Sequence, residues 1–262
     1  TNGTEDYGPN LEYFNGTSWV AYTANSYVQI PGGGTTLLVR TTIVNDLVAD
    51  NGQIFTLTAT NTGGVDNVIS TGNAGIATIY DDGTGTVFTS GNPINGAPAT
   101  VAVPTASVVS SAADIAKLPN DDRSLIVNNV TVNEGSPYAV FTVTGAVNQY
   151  VQLNMTDGNA NTTDYGAAFQ YYDGNAWQNY SLGSFVKIPS AGTTLLVRTT
   201  IVNDTSYEMS EGFTLTATNT GGINNVISAG NEGIGTIKDD GTGQWFDGAS
   251  GTGANAAPNG SV

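Results

Sequence analysis

Carboxylates are the only chemically active side chains that this sequence holds in quantity. Twenty-two Asp and Glu stand against six Lys and Arg, there is no His and no Cys, and the formal charge is −16. The chain therefore lacks the commonest general base, the commonest transition-metal ligand and any thiolate site or disulfide. Neither a Ser-His-Asp nor a Cys-His arrangement can be built from it. The acids of the second half fall in groups: Asn133-Glu134-Gly135, then Thr163-Asp164-Tyr165-Gly166, then Asn203-Asp204 with Glu208 and Glu211, then Asp239-Asp240. Each group sits at the end of a run that reads as a β-strand. Strand ends of a sandwich gather at two rims, so acids from four distant segments can meet at one of them. Such a meeting costs Coulomb energy unless a cation neutralises it. Calcium takes six to eight oxygens in a flexible shell and suits this donor set, whereas magnesium demands a strict octahedron. The alternative is that these residues simply make turns, since Asp-Gly and Asn-Asp pairs are common turn formers. A paired-carboxylate glycosidase is conceivable. No cleft-forming insertion separates the acids, however, and we expect no enzyme.

The elements that must position these acids occur twice. Residues 34–46 and 192–204 both read GTTLLVRTTIVND, an offset of 158 residues (34 to 192). At the same offset Asp6-Tyr7-Gly8 matches Asp164-Tyr165-Gly166, Trp19 matches Trp177, and FTLTATNTGG at 55–64 recurs at 213–222. DDGTG at 81–85 recurs at 239–243. A long match without gaps marks a tandem array of one folding unit. Helical periodicity is nearly absent. Short runs of Val, Ile, Thr, Tyr and Phe alternate with Gly/Asn/Asp turns, which predicts an all-β chain. In the second unit strands are expected at 125–132, 139–143, 150–155, 184–188, 194–202, 213–218 and 233–237. A hairpin is expected from 169–172 and 177–180, closed by Asp173-Gly174-Asn175. Phe213, Leu215 and Ala217 point to one face and Thr214, Thr216 and Thr218 to the other, the alternation of an antiparallel sheet in a sandwich.

We divide the chain into a partial first repeat (1–88), a linker rich in Ala, Pro, Ser, Thr and Gly (89–120), a complete second repeat (121–246) and the start of a further linker (247–262). The first repeat has no counterpart of 124–155, so three strands are missing and sheet edges are exposed. A cut from a longer array accounts for this. The alternative is β-augmentation, in which a neighbouring chain supplies the strands. The acidic surface repels nucleic acid and anionic lipid. The most apolar run, 97–118, is broken by Pro104, serines and charges, so no membrane insertion is expected. Trp19 and Trp177 lie on equivalent hairpins. Such rings can stack on carbohydrate, or they can pack over the sheet and stiffen it. Arg40 and Arg198 are equivalent and are expected to form surface ion pairs.

The stretches VNEGSPYAVFTVTG, TTDYG, IPSAGTTLLVRTTIVNDTSYEMSEGFTLTATN and GTIKDDG, in that order, resemble a Calx-β domain across about 120 residues. The DDGTG and DDR motifs resemble those of giant repetitive surface proteins and adhesins of bacteria. The resemblance implies tandem immunoglobulin-like Greek-key sandwiches of seven strands that bind Ca2+ at a rim, in an extracellular or bacterial cell-surface setting. The implied ligands are Glu134, Asp164, Asp204, Glu208, Asp239 and Asp240. Glu211 matches an acidic position of the family but is not among the implied ligands. Asn203 and Lys238 reduce the charge that calcium-rich members carry. The first unit retains Asp6, Asp46, Asp81 and Asp82, with Asp50 in place of Glu208 and Gln53 in place of Glu211, and has no counterpart of Glu134. The function implied is a calcium-stiffened spacer whose partners are neighbouring repeats, and other copies if strands are added in trans. Carbohydrate binding through the hairpin aromatics and a filament subunit completed by a neighbour are the alternatives.

Overall fold

Strands form in this chain where the repeat supplies both members of a pair, and they shorten or vanish where it supplies one. The computed structural model describes residues 6–46, 48–61, 73–221 and 231–247. The chain divides into two compact units, Thr1–Val103 and Pro104–Val262.

The first unit contains β1 (Tyr7–Phe14), β2 (Trp19–Ala21) and β3 (Val39–Ile43) in a three-stranded sheet of order β2-β1-β3. It also contains an antiparallel ribbon of β4 (Gln53–Thr58) and β5 (Ala74–Ile79).

The second unit begins with β6 (Val108–Val109) and the short helix α1 (Ala112–Ile115), followed by β7 (Ile126–Val127), β8 (Val130–Asn133), β9 (Tyr138–Thr144) and β10 (Tyr150–Asp157). It continues with β11 (Tyr165–Tyr172), β12 (Trp177–Asn179), β13 (Phe185–Lys187), β14 (Thr194–Ile201), β15 (Glu211–Thr218) and β16 (Glu232–Lys238). One sheet runs β6-β13-β10-β15-β16-β8 and the other β12-β11-β14-β9-β7. The two sheets close over one core that includes Phe141, Val143, Leu153, Leu195, Val197, Phe213 and Leu215. This is an immunoglobulin-like β-sandwich. Among the described residues seven strands of this unit have four residues or more, and four, β6, β7, β12 and β13, are shorter.

The expected faces hold. Phe213, Leu215 and Ala217 are at most 1% exposed, and β14 is the central strand of its sheet. One element differs. Residues 125–132 are not one strand but cross from one sheet to the other. Ile126–Val127 pairs with β9, and Val130–Asn133 lies parallel to β16. The two asparagines between them make the crossing. Asn128 Oδ1 accepts from Thr142 N at 2.6 Å in one sheet, and Asn129 Oδ1 accepts from Ile234 N at 2.8 Å in the other. Side-chain amides thus substitute for ladder bonds where the backbone leaves the sheet.

The missing partners shape the first unit. β14 spans 194–201, with β9 paired to it along 194–200, whereas β3 covers only 39–43. β13 is held between β10 and β6, and its counterpart at 27–29 forms no strand. What both units share is local. Tyr7 stacks on Phe55 at 4.5 Å as Tyr165 stacks on Phe213 at 4.3 Å. A Cβ at Gly166 would run into Thr200 Oγ1, and one at Gly8 into Thr42 Oγ1, so in both units this glycine packs against a threonine side chain on the neighbouring strand.

The stretch 89–120 divides at residue 103. Phe88 bridges Thr100, Trp19 Nε1 donates to Gly91 O at 3.2 Å, and Asn92 Nδ2 donates to Thr17 O at 3.1 Å, all within the first unit. In the second unit β6 adds to the edge of β13, and the Tyr150 hydroxyl donates to Ala106 O at 2.6 Å. Residues beyond 247, read above as the start of a further linker, lie outside the described residues, as do 1–5 of the first repeat. Among the described residues no helix is long and apolar enough to cross a membrane.

Phe213 is 1% exposed, stacks on Tyr165 and meets Phe141 edge-on at 5.7 Å. Phe213→Ala is expected to lower the unfolding free energy of the second unit by about 3–5 kcal/mol, measured by denaturant titration.

Candidate metal centre

Strand parity decides which acids point inward at the rim. Along β8, Val130 and Val132 are buried, and Glu134 continues that phase at 7% exposed. Along β16, Ile237 faces the core, Asp239 follows in phase, and Asp240 falls out of phase and is exposed. Along β15, Glu211 shares the phase of Phe213, Leu215 and Ala217. Asp164, 8% exposed, immediately precedes Tyr165 of β11, whose pairing with Ile201 sets it beside the end of β14. β8 and β16 end together because they are parallel, with Asn133 opposite Lys238. β15 begins where β16 ends, with Glu211 opposite Ile237. Both sheets therefore deliver carboxylates to the same rim.

One oxygen each from Asp164, Glu208 and Glu211 lies within 4.8 Å of the others, and among the described residues this is the one such set of three acids. Two oxygens each about 2.4 Å from a shared calcium ion can be no more than about 4.8 Å apart, so the spacing fits one ion. Glu134, Asp239, Val202, Met209 and Ile237 complete the lining, which holds no lysine or arginine. Hydrogen bonds tie the loops across the sheets. Asp204 N donates to Glu134 Oε1 at 2.9 Å, and Glu208 N donates to Asp239 Oδ2 at 3.0 Å. Asp164 is oriented by Asn161 N at 2.8 Å and by the Thr163 hydroxyl at 3.0 Å. The Asp204 carboxylate accepts from Ser206 N at 2.6 Å within its own turn.

The electrostatics follow from this crowding. Burial, with Asp239 and Asp204 close by, pushes the Glu134 carboxyl above its ordinary value. Burial and then the charge of Asp164 raise Glu211, and loss of solvent and then the charge of Asp204 raise Glu208. Asp240 moves the other way, because the Thr242 hydroxyl and amide hold its charged form.

The structure thus brings Glu134, Asp164, Asp204, Glu208 and Asp239 to one rim, and it turns Asp240 into a separate Asx turn with Thr242. Glu211, which is not among the ligands that the resemblance implies, stands in the tightest set. Its signal was available: it is an acid in phase with three inward apolar residues. In the first unit, Asp46 accepts from Val48 N at 2.8 Å and Asp50 from Gln53 Nε2 at 2.5 Å. Asp82 accepts from Thr84 N at 3.0 Å and from Asn51 Nδ2 at 3.0 Å, and Asp81 N donates to Asn51 Oδ1 at 3.2 Å. Asp6 precedes β1 as Asp164 precedes β11. Among the described residues these acids form no set of three like that of the second unit.

The hairpin tryptophans are engaged by the scaffold. The Arg40 guanidinium lies 4.2 Å from the Trp19 ring centre and pairs with Glu12 at 2.7 Å. Arg198 lies 4.1 Å from both Trp177 and Tyr138, and its Nε donates to Gln170 Oε1 at 2.9 Å. The expected ion pair is thus formed by Arg40. At Arg198, Gln170 stands where the first unit has Glu12, and stacking between two rings holds the cation.

No family model matches the chain, and no curated protein matches it by sequence. Among solved structures, the chain is similar to the calcium binding domain CBD12 of CALX1.1, at 15% identity over 45% of this chain and 44% of that one, with a TM-score of 0.34. It is similar to the apo-form Calx CBD1 domain at 17% identity, over 44% of this chain and 97% of that one, with a TM-score of 0.32. The periplasmic chaperone SfaE matches at 10% identity, over 45% of this chain and 58% of that one, with a TM-score of 0.29. This chain thus spans less than half the length of the CBD12 chain it matches.

In calcium-free buffer the raised carboxyls of Glu134, Glu208 and Glu211 penalise the fold in their charged form. Their unfolded reference is 4.5, so the penalty is full above the raised values and is withdrawn as pH falls toward 4.5. The melting temperature of the calcium-free second unit is expected to rise between neutrality and about pH 5, and Glu134→Gln to flatten that rise. A steady fall over this window would contradict the assignment.

Proposed function

We propose that the chain is a structural repeat of Calx-β type, stiffened by calcium, that serves as a spacer or stalk in an extracellular adhesin or matrix fibre of a bacterium. The observation that carries this reading is the convergence of Asp164, Glu208 and Glu211 oxygens within 4.8 Å in a lining that holds no base. Asp164, Glu208 and Glu211 would hold the ion, with Glu134 and Asp239 beside them. The ion supplies charge neutralisation and a cross-link among loops of both sheets, and no reaction follows from it. The chain's own residues set the geometry: Glu134 fixes the Asp204 amide, and Asp239 fixes that of Glu208.

The duplicated unit supports a spacer, because tandem sandwiches extend reach without adding chemistry. The arginines stacked on Trp19 and Trp177 support a scaffold role for the hairpin aromatics rather than carbohydrate binding. The absence of His and Cys leaves no nucleophile–base pair of the usual kinds, and the acids serve better as ligands than as a catalytic pair.

At calcium near a hundred times its dissociation constant, binding to the folded state alone stabilises it by about 2.7 kcal/mol. The transition of the second unit is expected to move up by roughly 5–10 °C on adding calcium and to return with chelator. Asp164→Asn with Glu211→Gln is expected to remove the calcium shift and, by relieving repulsion at the rim, to raise the calcium-free melt at neutral pH rather than lower it. A transition indifferent to chelator in the unmodified chain would remove the ion from the account.

A further inference from the structure

The hairpin of the second unit carries an indole N–H that the first unit shows how to satisfy. Trp177 Nε1 is shielded from solvent and, among the described residues, meets no hydrogen-bond acceptor. A buried donor left so costs free energy that an acceptor would return. The counterpart Trp19 Nε1 donates to Gly91 O at 3.2 Å. Beside it Arg40 Nη1 donates to Ser90 O at 2.9 Å, and Asn92 Nδ2 donates to Thr17 O at 3.1 Å. The residues that follow the DDGTG motif of the first unit thus lie across their own hairpin, and two successive carbonyls serve the cation and the ring.

The receiving side chains are built alike in both units. Each tryptophan ring carries an arginine, Arg40 at 4.2 Å and Arg198 at 4.1 Å. Each also meets the aromatic residue opposite it in the hairpin edge-on, Phe14 at 5.5 Å and Tyr172 at 5.4 Å. The path of the second unit leads its chain to the same place. Phe246 pairs with Tyr138, the Tyr138 ring lies 4.1 Å from the Arg198 guanidinium, and that guanidinium lies 4.1 Å from the Trp177 ring. Three residues of extended chain span roughly 10 Å, the scale of these stacked contacts, so residues 248–250 come within reach of the ring.

We propose that the hairpin face around Trp177 and Arg198 is a docking site for the stretch that follows the second unit, residues 248–250. Phe246 falls at the position of Phe88, so Gly248, Ala249 and Ser250 fall at those of Ser90, Gly91 and Asn92. The Gly248 carbonyl then takes the place of Ser90 O beside Arg198, and the Ala249 carbonyl accepts from Trp177 Nε1. Both acceptors are backbone groups, so the site asks of its occupant only small residues that let the chain approach the ring, and Gly-Ala-Ser provides them. The repeat is thereby strapped by the chain that leaves it. The strap sits at the aromatic hairpin and not at the acidic rim, so the direction in which the chain departs is set without an ion.

The proposal shares no residue with the acidic rim, and its test is run in chelator so that the two readings stand or fall separately. The full chain, a chain ending at residue 252 and a chain ending at residue 247 are prepared with isotope-labelled tryptophan. Exchange of the indole N–H groups of Trp19, Trp177 and Trp245 with deuterium is followed by NMR, each signal being assigned by a single Trp→Phe substitution. The Trp177 N–H is expected to exchange slowly in the first two chains and about tenfold or more faster in the third, with Trp19 and the amides of 213–218 unchanged. Equal exchange at Trp177 in all three chains would overturn the proposal. So would protection already lost in the chain ending at 252, or protection that depends on protein concentration, which would mean that a second copy covers the ring.

Discussion

Closing two sheets over one core is the constraint from which the rest of the second unit follows. The core fixes which residues of each strand face inward, and that phase does not stop where the apolar residues stop. Val130 and Val132 carry Glu134 inward, Ile237 carries Asp239, and Phe213 stands one step from Glu211. Hydrophobic burial therefore sets the positions of groups that repel one another. The raised carboxyls of Glu134, Glu208 and Glu211 record that conflict.

The two units separate what a strand does alone from what its neighbours do for it. With the sequence of the central strands unchanged, β14 runs eight residues and β3 five. Local features persist in both, such as the tyrosine-on-phenylalanine stack and the glycine packed against a threonine hydroxyl. Burial differs between the units, as Leu57 and Ile43 show against Leu215 and Ile201. β-propensity is thus realised here through cross-strand partners more than through the backbone.

Much of this was legible in the sequence. The repeat offset, the all-β class and the alternation of Phe213, Leu215 and Ala217 needed no coordinates. So did the grouping of acids at strand ends. The crossing at Asn128-Asn129 was not legible, because an apolar run of period two reads as one strand whether or not it changes sheets. The division between Asp239 and Asp240 was hidden by treating the pair as one motif. Extending the phase of Ile237 by two residues would have separated them. Glu211 shows its inward direction only when the parity of Phe213, Leu215 and Ala217 is extended back to the first residue of the strand. The pairing of Arg198 with Gln170 and two rings depends on Tyr138, which is distant in sequence, and no local pattern announces it.

The parallel alignment of β8 with β16 has a mechanical consequence. These strands lie near the two ends of the second unit's fold, yet they are direct neighbours over four residue pairs, and Val132 bridges Gln244 beyond them. Pulling the chain by its ends draws the two strands past each other in opposite directions. Their ladder bonds are then loaded together rather than opened one by one. Once the short β6 and β7 ahead of β8 have given way, extension of the unit is opposed by a shear clamp at this pair.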